Sequence, residues 1–395
     1  MSRPKAAKAG RGVAVAAVRP RILAALLALL PWAPLRAELQ MSTGVNRYSG
    51  SDGVSVVSPQ MGADMDLDER TKVGLHYTVD AVSGASFNYA QSKTHRDDPR
   101  RAVGNCKSCH SGIDAISGAS RNYLDTRHDI NLSVTRKVGE TDIKPAYIRS
   151  QENDYLSETL SLGLEQALFT RDTTLSLGLR RMSDQIRPTW NKGDVRELLT
   201  HGASLGLTQV LTRSSVLRLG VDLADMQGYL SNPYAYLQVG KLDTLPFAEA
   251  QPGQRQRVDL SGRFKQALGW DSSVELAYRW YQDSWDVKAQ TMEGVLATGI
   301  AGFTLEAGWR HYSQTQAWFF QNFYSAPQAY MSRDLKLAAF SDDLLSLGLR
   351  GDLGGGWAAE LRYGFLQRQD DLDYRLYFAD SAVHAQLGSI GLTYH

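Results

Sequence analysis

Strict alternation of apolar and polar residues, repeated along the chain, is the feature that most restricts how this sequence can fold. Thr174–Arg181 reads TLSLGLRR, Leu344–Gly351 reads LLSLGLRG and Leu387–Tyr394 reads LGSIGLTY. Leucine or isoleucine at every second position faces one side of a strand, and Ser, Gly, Thr or Arg faces the other. Past Ala37 no stretch has the 3.6-residue period of a long amphipathic helix. The sequence therefore predicts an all-β protein.

The connections between the predicted strands are of two kinds. Short polar turns, such as 168–172 and 352–356, occur beside long loops, such as 226–254. Tight turns on one side and long loops on the other are typical of bacterial outer-membrane β-barrels, whose strands cross the bilayer at a tilt. We predict an antiparallel transmembrane β-barrel of about 14 strands over residues 38–395. A secreted soluble sandwich or propeller is the competing interpretation.

Aromatic residues near the predicted strand ends match the interfacial girdles of such barrels. They include Trp285, Trp309, Tyr312, Trp357 and the segment WFFQNFY at 318–324.

Residues 1–37 have the composition of a secretory signal peptide. Basic residues from Lys5 to Arg21 precede the apolar run ILAALLALL, and the small residue Ala37 follows it. That run is well short of the roughly 20 residues of a membrane-spanning helix. We expect export and cleavage near Ala37, which together with the barrel predicts the bacterial outer membrane. With 43 basic and 42 acidic residues, the net charge of +1 indicates no nucleic-acid partner.

A decapeptide occurs twice near the start of the predicted barrel. Residues 80–89 read DAVSGASFNY and residues 114–123 read DAISGASRNY, with eight of ten positions identical. A turn motif, with the aspartate bonding backbone amides of the bend, explains one copy. It explains less well why the same residues recur in order.

The segment D-x-x-S-G-A-S resembles the flavinylation sequence of the FMN-carrying subunits of sodium-pumping NADH:quinone reductases. In that family a FAD:protein FMN transferase links the FMN phosphate to the hydroxyl of the last Thr or Ser. The resemblance implies covalent FMN on Ser86 and Ser120, although Thr is commoner at that position. The residues that it implies for recognition are Asp80, Ser83 and Gly84 in the first copy, and Asp114, Ser117 and Gly118 in the second.

Most of residues 40–395 also resembles an uncharacterised family of bacterial outer-membrane barrels, a domain of unknown function. Members carry V-D-x-V-S-G-A-S segments near the N-terminus and a V-T-R segment after them, here Val134–Arg136. They also have a Y-R-Y-Y-x-D-S-like strand, here Tyr278–Ser284. This resemblance implies a barrel more strongly than any activity.

The two cysteines of the chain lie between the two decapeptides, in Cys106-Lys-Ser-Cys109-His110. C-x-x-C-H is the attachment sequence of c-type haem, in which two thiols bind the vinyl groups and the histidine binds the iron. A disulfide, half of a zinc site and a thioredoxin-like redox pair are the alternatives. No further cysteine exists to complete a zinc cluster. The second axial ligand is left open among His76, His95, His128, Met61 and Met65, and a five-coordinate iron without a second ligand is the other alternative.

From these features we predict a cofactor-bearing segment over residues 80–126. The chain would be an electron carrier rather than an enzyme, with haem c and covalent FMN, relaying electrons between periplasmic and external or membrane partners. Its partners would be outer-membrane lipid, the FMN transferase, the haem-attachment machinery and a periplasmic or extracellular electron carrier. A porin-like or structural barrel without cofactors is the main alternative, and a soluble haem-binding module is a third.

The side of the membrane that the segment faces depends on residues 139–154. If they form one long loop, the segment is periplasmic. If Ile143–Arg149 is an additional strand, the segment is extracellular.

Overall fold

The computed structural model describes residues 38–51, 54–83, 124–169, 172–188, 193–233, 235–237, 239, 247–370 and 383–395. Within these residues sixteen strands form one closed antiparallel barrel. Each wall strand pairs with the wall strands before and after it in the chain, and β1 pairs with β18 to close the wall. The wall strands are β1 (Glu38–Gly50), β2 (Ser55–Asp68), β3 (Thr71–Ser83), β4 (Leu124–Val138), β5 (Thr141–Gln151), β6 (Tyr155–Leu168), β7 (Thr173–Ile186), β8 (Arg196–Thr212), β9 (Ser215–Gly228), β12 (Gln254–Leu268), β13 (Ser272–Asp283), β14 (Lys288–Ile300), β15 (Phe303–Gln314), β16 (Phe340–Gly354), β17 (Trp357–Gln369) and β18 (His384–Tyr394).

The all-β antiparallel barrel is confirmed, but the predicted number of about 14 strands is wrong. The alternation of Leu and polar residues is weak in β1, β5 and β14. The sequence predicts neither β1 nor β14, and it leaves β5 open as the possible strand Ile143–Arg149. Pro145 interrupts β5, where its missing N–H removes a donor from the ladder. In β14, KAQTMEGVLATGI, small and polar residues occupy both faces. β14 forms in spite of its weak alternation because it pairs along its length with the neighbouring strands β13 and β15.

The two faces of the wall differ in chemistry, as the alternation predicts. In β16 the side chains of Leu345, Leu347 and Leu349 are on the outer face and exposed, whereas Ser346 and Arg350 are on the inner face. Exposed apolar residues also occupy the outer face of most of the other wall strands. In water this belt would expose an apolar surface far larger than soluble proteins tolerate. A closed, even-numbered barrel with such a belt is the architecture of outer-membrane proteins.

The connections divide the barrel into two ends. At one end, which we call the turn end, residues 69–70, 139–140 and 213–214 form tight turns, and β1 begins there while β18 ends there. At the other, the loop end, β3 is followed by the long connection 84–123 and β9 by 229–253. The additional strand considered for Ile143–Arg149 is present as β5. Both ends of the connection 84–123 therefore lie on the side of the long loops.

Two aromatic residues that the sequence placed in a girdle lie elsewhere. Trp285 is buried in the turn after β13 and packs edge-on against Phe319, with 5.2 Å between ring centroids. Tyr312 lies on the inner face of β15, because it pairs with Asp342 and Thr291. Trp309 and Trp357 are exposed on the outer face, as expected of girdle residues.

Two long loops at the loop end fold against each other. The loop 229–253 contains the two-stranded sheet β10 (Tyr236–Leu237) and β11 (Phe247–Ala248), and the loop 315–339 contains a single 3-10 turn, Leu335–Leu337. Bridges between Val239 and Tyr324 and between Ala250 and Met331 join the loops. Phe319, Phe320 and Tyr324 are buried there, so these three aromatic residues of WFFQNFY form a loop core rather than a girdle, whereas Trp318 and Phe323 are exposed.

Glu249 has a special position in this loop core. It is 5% exposed, and one of its carboxylate oxygens accepts a hydrogen bond from the backbone N–H of Arg333 at 2.8 Å. Burial, together with the nearby Asp334, raises the pKa of Glu249 to about 7. Burial between the two loops therefore favours the protonated form of this carboxyl group.

Among the described residues, no helix has the length and apolar character needed to cross a bilayer.

Candidate functional site at the loop end of β3 and β4

The structure places the predicted cofactor segment on one connection between neighbouring strands. Asp80 is the tenth residue of β3, and Ser83 is the last. The second decapeptide ends one residue before β4 begins at Leu124. The other predicted site residues lie outside the described residues; they are Ser86, Cys106, Cys109, His110, Asp114, Ser117 and Ser120.

Asp80 is part of the barrel wall. It is 8% exposed on the inner face and lies directly across the ladder from Arg127 of β4. The Nε of Arg127 donates to Oδ2 of Asp80 at 2.9 Å and lies 3.0 Å from a carboxylate oxygen of Asp129. One guanidinium therefore joins two carboxylates, and it compensates the burial of Asp80.

A second group of acids lies beside this ion pair. Carboxylate oxygens of Asp125, Glu152 and Asp154 are within 4.8 Å of one another. Asp125 is buried on the inner face of β4, and the other two belong to the tight turn between β5 and β6. Oδ1 of Asp125 accepts from the side-chain amide of Asn153 at 3.2 Å. We call these three acids the carboxylate rim.

Burial and neighbouring carboxylates favour the protonated form of one acid in the carboxylate rim, Glu152. Burial, together with the nearby Asp125 and Asp154, raises the pKa of Glu152 to about 7, while Arg127 opposes the shift. Three carboxylates also supply oxygen ligands of the kind that Ca²⁺ prefers. A proton on Glu152 accounts for the same arrangement without a cation.

The structure describes the surroundings of three residues that were proposed as the second haem ligand. The ring Nδ1 of His128 is 2.7 Å from the hydroxyl of Tyr77 on the outer face. His76 is on the inner face of β3, with its Nε2 3.5 Å from a carboxylate oxygen of Asp64. Met61 is exposed on the outer face of β2. His95 lies outside the described residues.

A family model matches nearly the whole chain, in two stretches that cover residues 14–198 and 194–387. The family is described as "Protein of unknown function (DUF3570)". The chain belongs to this family. Because the match extends from before β1 into β18, membership in DUF3570 concerns the barrel as a whole, and it assigns no activity.

Solved structures overlap with this DUF3570 barrel at low sequence identity. CdiB from Acinetobacter baumannii gives a TM-score of 0.49 at 11% identity, covering 90% of this chain and 60% of CdiB. A bacterial polysaccharide outer membrane secretin gives 0.47 at 10%, covering 91% and 98%. The siderophore receptor PirA from Pseudomonas aeruginosa gives 0.46 at 11%, covering 90% of this chain and 61% of the receptor. No curated protein matches the DUF3570 chain.

Sequence reasoning missed Arg127 and Glu152. The pattern Asp125-Thr-Arg127-His-Asp129 places three charges at alternate positions directly after the second decapeptide, and this pattern indicates a charged inner face. Glu152 had no comparable indication, because its neighbours Asp125 and Arg127 are brought to it by strand pairing.

Proposed function

We propose that this DUF3570 barrel carries covalent redox groups on the connection between β3 and β4, and that it passes electrons between periplasmic and external or membrane partners. FMN would be linked to Ser86 and Ser120. One haem c would be held by Cys106, Cys109 and His110, with His110 as the iron ligand. These groups would supply the electron-carrying chemistry, and the barrel would fix where they stand.

One observation supports this proposal above the others: both decapeptides are attached to the same pair of cross-strand residues. Ser83 pairs with Leu124 in the ladder. Ser86 follows Ser83 by three residues, and Ser120 precedes Leu124 by four. A chain of four residues spans at most about 14 Å. FMN groups linked to these two serines would therefore be tethered near one point on the barrel rim.

The contacts of Asp80 bear on the order of events. The resemblance gives Asp80 a role in recognition by the transferase, yet Asp80 is buried and bonded to Arg127 in the barrel wall. The first copy would therefore be modified before β3 pairs with β4. Attachment of both cofactors in the periplasm, before the barrel inserts, satisfies this requirement.

The direction of the connection supports an external partner. The connection begins after Ser83 and finishes before Leu124, and both of these residues are at the loop end of the barrel. In outer-membrane barrels the longer loops are extracellular. An extracellular electron carrier would then meet the cofactors directly.

The test is to produce the full chain together with the FMN transferase and the haem-attachment machinery. Denatured protein should show in-gel flavin fluorescence and haem peroxidase staining. Ser86→Ala and Ser120→Ala should each remove one FMN from the mass, and the double change Cys106→Ala with Cys109→Ala should remove the haem. Ser133→Ala, on the inner face of β4, serves as the control and should retain all three groups. Colourless protein with the bare mass of its processed polypeptide would contradict the proposal.

A second candidate function is a porin-like barrel. The inner face carries ion pairs between Lys144 and Glu165 and between Arg180 and Asp222, as in barrels with a water-filled lumen. Under this candidate both stains are negative, and the purified chain conducts ions across a planar lipid bilayer.

A further inference from the structure

Cations are concentrated on the inner face of one strand, away from the predicted cofactors. Arg255, Arg257, Arg263 and Lys265 of β12 are on the inner face, with Asp259 as the one acid of that strand beside them. Asp283 binds Arg255, but it lies opposite Arg257 without a hydrogen bond to it among the described residues. The middle of this wall is therefore basic.

A pocket with a volume of about 270 Å³ lies in the lumen on this wall. It is formed by two adjacent rows of cross-strand partners on β9, β12, β13 and β14. Small residues give the pocket its depth: at Gly220 a Cβ atom would come within 2.7 Å of the hydroxyl of Ser261. One row is Gly220, Ser261, Arg279 and Thr291; the other is Arg218, Arg263, Ala277 and Glu293. We call this the arginine pocket.

Two arginines of the pocket are direct cross-strand partners, Arg218 on β9 and Arg263 on β12. Like charges placed directly opposite each other destabilise a sheet. Arg263 is compensated by Glu275, and it lies 3.4 Å from an oxygen of Glu293. Arg218 is exposed to the lumen and has no ion-pair or hydrogen-bond partner among the described residues. The row therefore retains one unmatched cation.

The acids around the pocket do not supply the missing charge. Asp259 is bound by Arg279. Glu293, besides its contact with Arg263, has one oxygen 3.9 Å from the Nε of Arg310. Glu293 shares Arg263 with Glu275 and Arg310 with Asp342. Among the described residues, none of these carboxylates lies within ion-pair distance of Arg218.

We propose that the arginine pocket binds an oxyanion group, a phosphate or a carboxylate, of a solute that enters the lumen. Planar guanidinium groups donate two parallel hydrogen bonds to such groups, and the hydroxyls of Ser261 and Thr291 offer further donors. A concave wall with a surplus cation also attracts anions from solution. The pocket does not depend on FMN or haem, so it stands whether or not the cofactors are present.

Isothermal titration of the full chain, in a detergent without charged headgroups, tests this with inorganic phosphate and, separately, with acetate. Sodium chloride keeps the ionic strength constant, because screening alone weakens surface charge effects. Wild type should bind at least one of the two anions, and the two arms separate phosphate from carboxylate recognition. Arg218→Gln should weaken binding roughly tenfold or more, as expected from the loss of one charge-assisted hydrogen bond.

Two further variants make the result specific. Arg218→Lys keeps the charge but loses the planar fork, and its affinity should fall between those of wild type and Arg218→Gln. Arg181→Gln, on the outer face of β7, removes the same charge outside the lumen and should bind like wild type. Absence of binding to either anion in wild type overturns the proposal, as does an equal loss in Arg181→Gln and Arg218→Gln.

Discussion

The carboxylate rim and the arginine pocket both bring like charges close together, carboxylates in the rim and guanidinium groups in the pocket. At the rim, Glu152 lies beside Asp125 and Asp154, and its raised pKa allows it to take up a proton near neutral pH. In the pocket, Arg218 faces Arg263 across the ladder, and a guanidinium does not lose its proton in this pH range. An excess of carboxylates can therefore be relieved from within, by protonation. An excess of arginines requires an anion from outside.

Asp283, a buried carboxylate whose oxygens accept several hydrogen bonds, can be compared with both regions, and its substitution should change stability most. Asp283 has a fully buried side chain that accepts from Arg255, from the hydroxyl of Tyr281 at 2.7 Å and from the backbone N–H of Trp285 at 2.9 Å. Asp283→Asn places amide hydrogens against these donors, and we expect the free energy of unfolding to fall by about 3 kcal/mol or more. Urea unfolding in lipid vesicles, followed by tryptophan fluorescence, measures this.

Asp286→Asn is the matched control for that change. Asp286 lies in the same turn, has a φ of 65° that asparagine tolerates, and should change stability little. A small effect of Asp283→Asn would mean that neutral partners satisfy the buried donors equally well.

The rim predicts a pH dependence of intermediate size. The pKa of Glu152 is about 7 in the folded protein and ordinarily 4.5, so between these values the folded state binds more protons than the unfolded state. Stability should therefore fall as the pH rises from about 4.5 to 7, and the loss should persist above 7. Glu152→Gln should raise the free energy of unfolding at pH 8 by about 1–2 kcal/mol, after allowance for solvent screening, with little change at pH 4.5.

Unfolding of wild type and Glu152→Gln at both pH values checks this prediction. Glu249 titrates in the same range, so part of the wild-type slope should remain in Glu152→Gln. Glu69→Gln, in a tight turn at the other end of the barrel, should leave the wild-type slope intact. An unchanged slope in Glu152→Gln would mean that a bound cation, rather than a proton, neutralises the rim.

The smallest effect concerns Arg218 in the absence of any ligand. In chloride buffer, Arg218→Gln removes the repulsion with Arg263 and should stabilise the barrel by about 0.5 kcal/mol. Added phosphate should stabilise wild type and reverse the order of the two proteins. Arg181→Gln should respond to neither condition. If Arg218→Gln is less stable than wild type in chloride, Arg218 has a structural role that its contacts do not reveal.

The period-two pattern was sufficient to predict the barrel. The outer face of each strand contacts lipid and the inner face carries charged and polar groups, so the two faces need different residues. The pattern was insufficient for β5 and β14, where Pro145 and a run of small residues hide the alternation. For such strands the neighbours on both sides decide, and a sequence read alone does not contain that context.

For the candidate site, the sequence predicted which residues take part but not which residues they contact. Asp80 was noticed as part of a repeat, yet its burial and its bond to Arg127 follow from a cross-strand register across the 40 residues between β3 and β4. Arg218 drew no attention, since its significance is that the residue opposite is Arg263. The role of such a charged residue depends on its cross-strand partner, so it can be identified only once the strand pairing is known.

Closure of the wall has a consequence for biogenesis. Met41 pairs with Tyr394, so the final contact joins residues 353 positions apart, and such non-local contacts form slowly. During export through a secretion channel the double decapeptide would emerge early, and the cylinder could not be completed until the last strand had followed. Enzymes that modify the double decapeptide would therefore have the interval of the remaining thirteen wall strands in which to act.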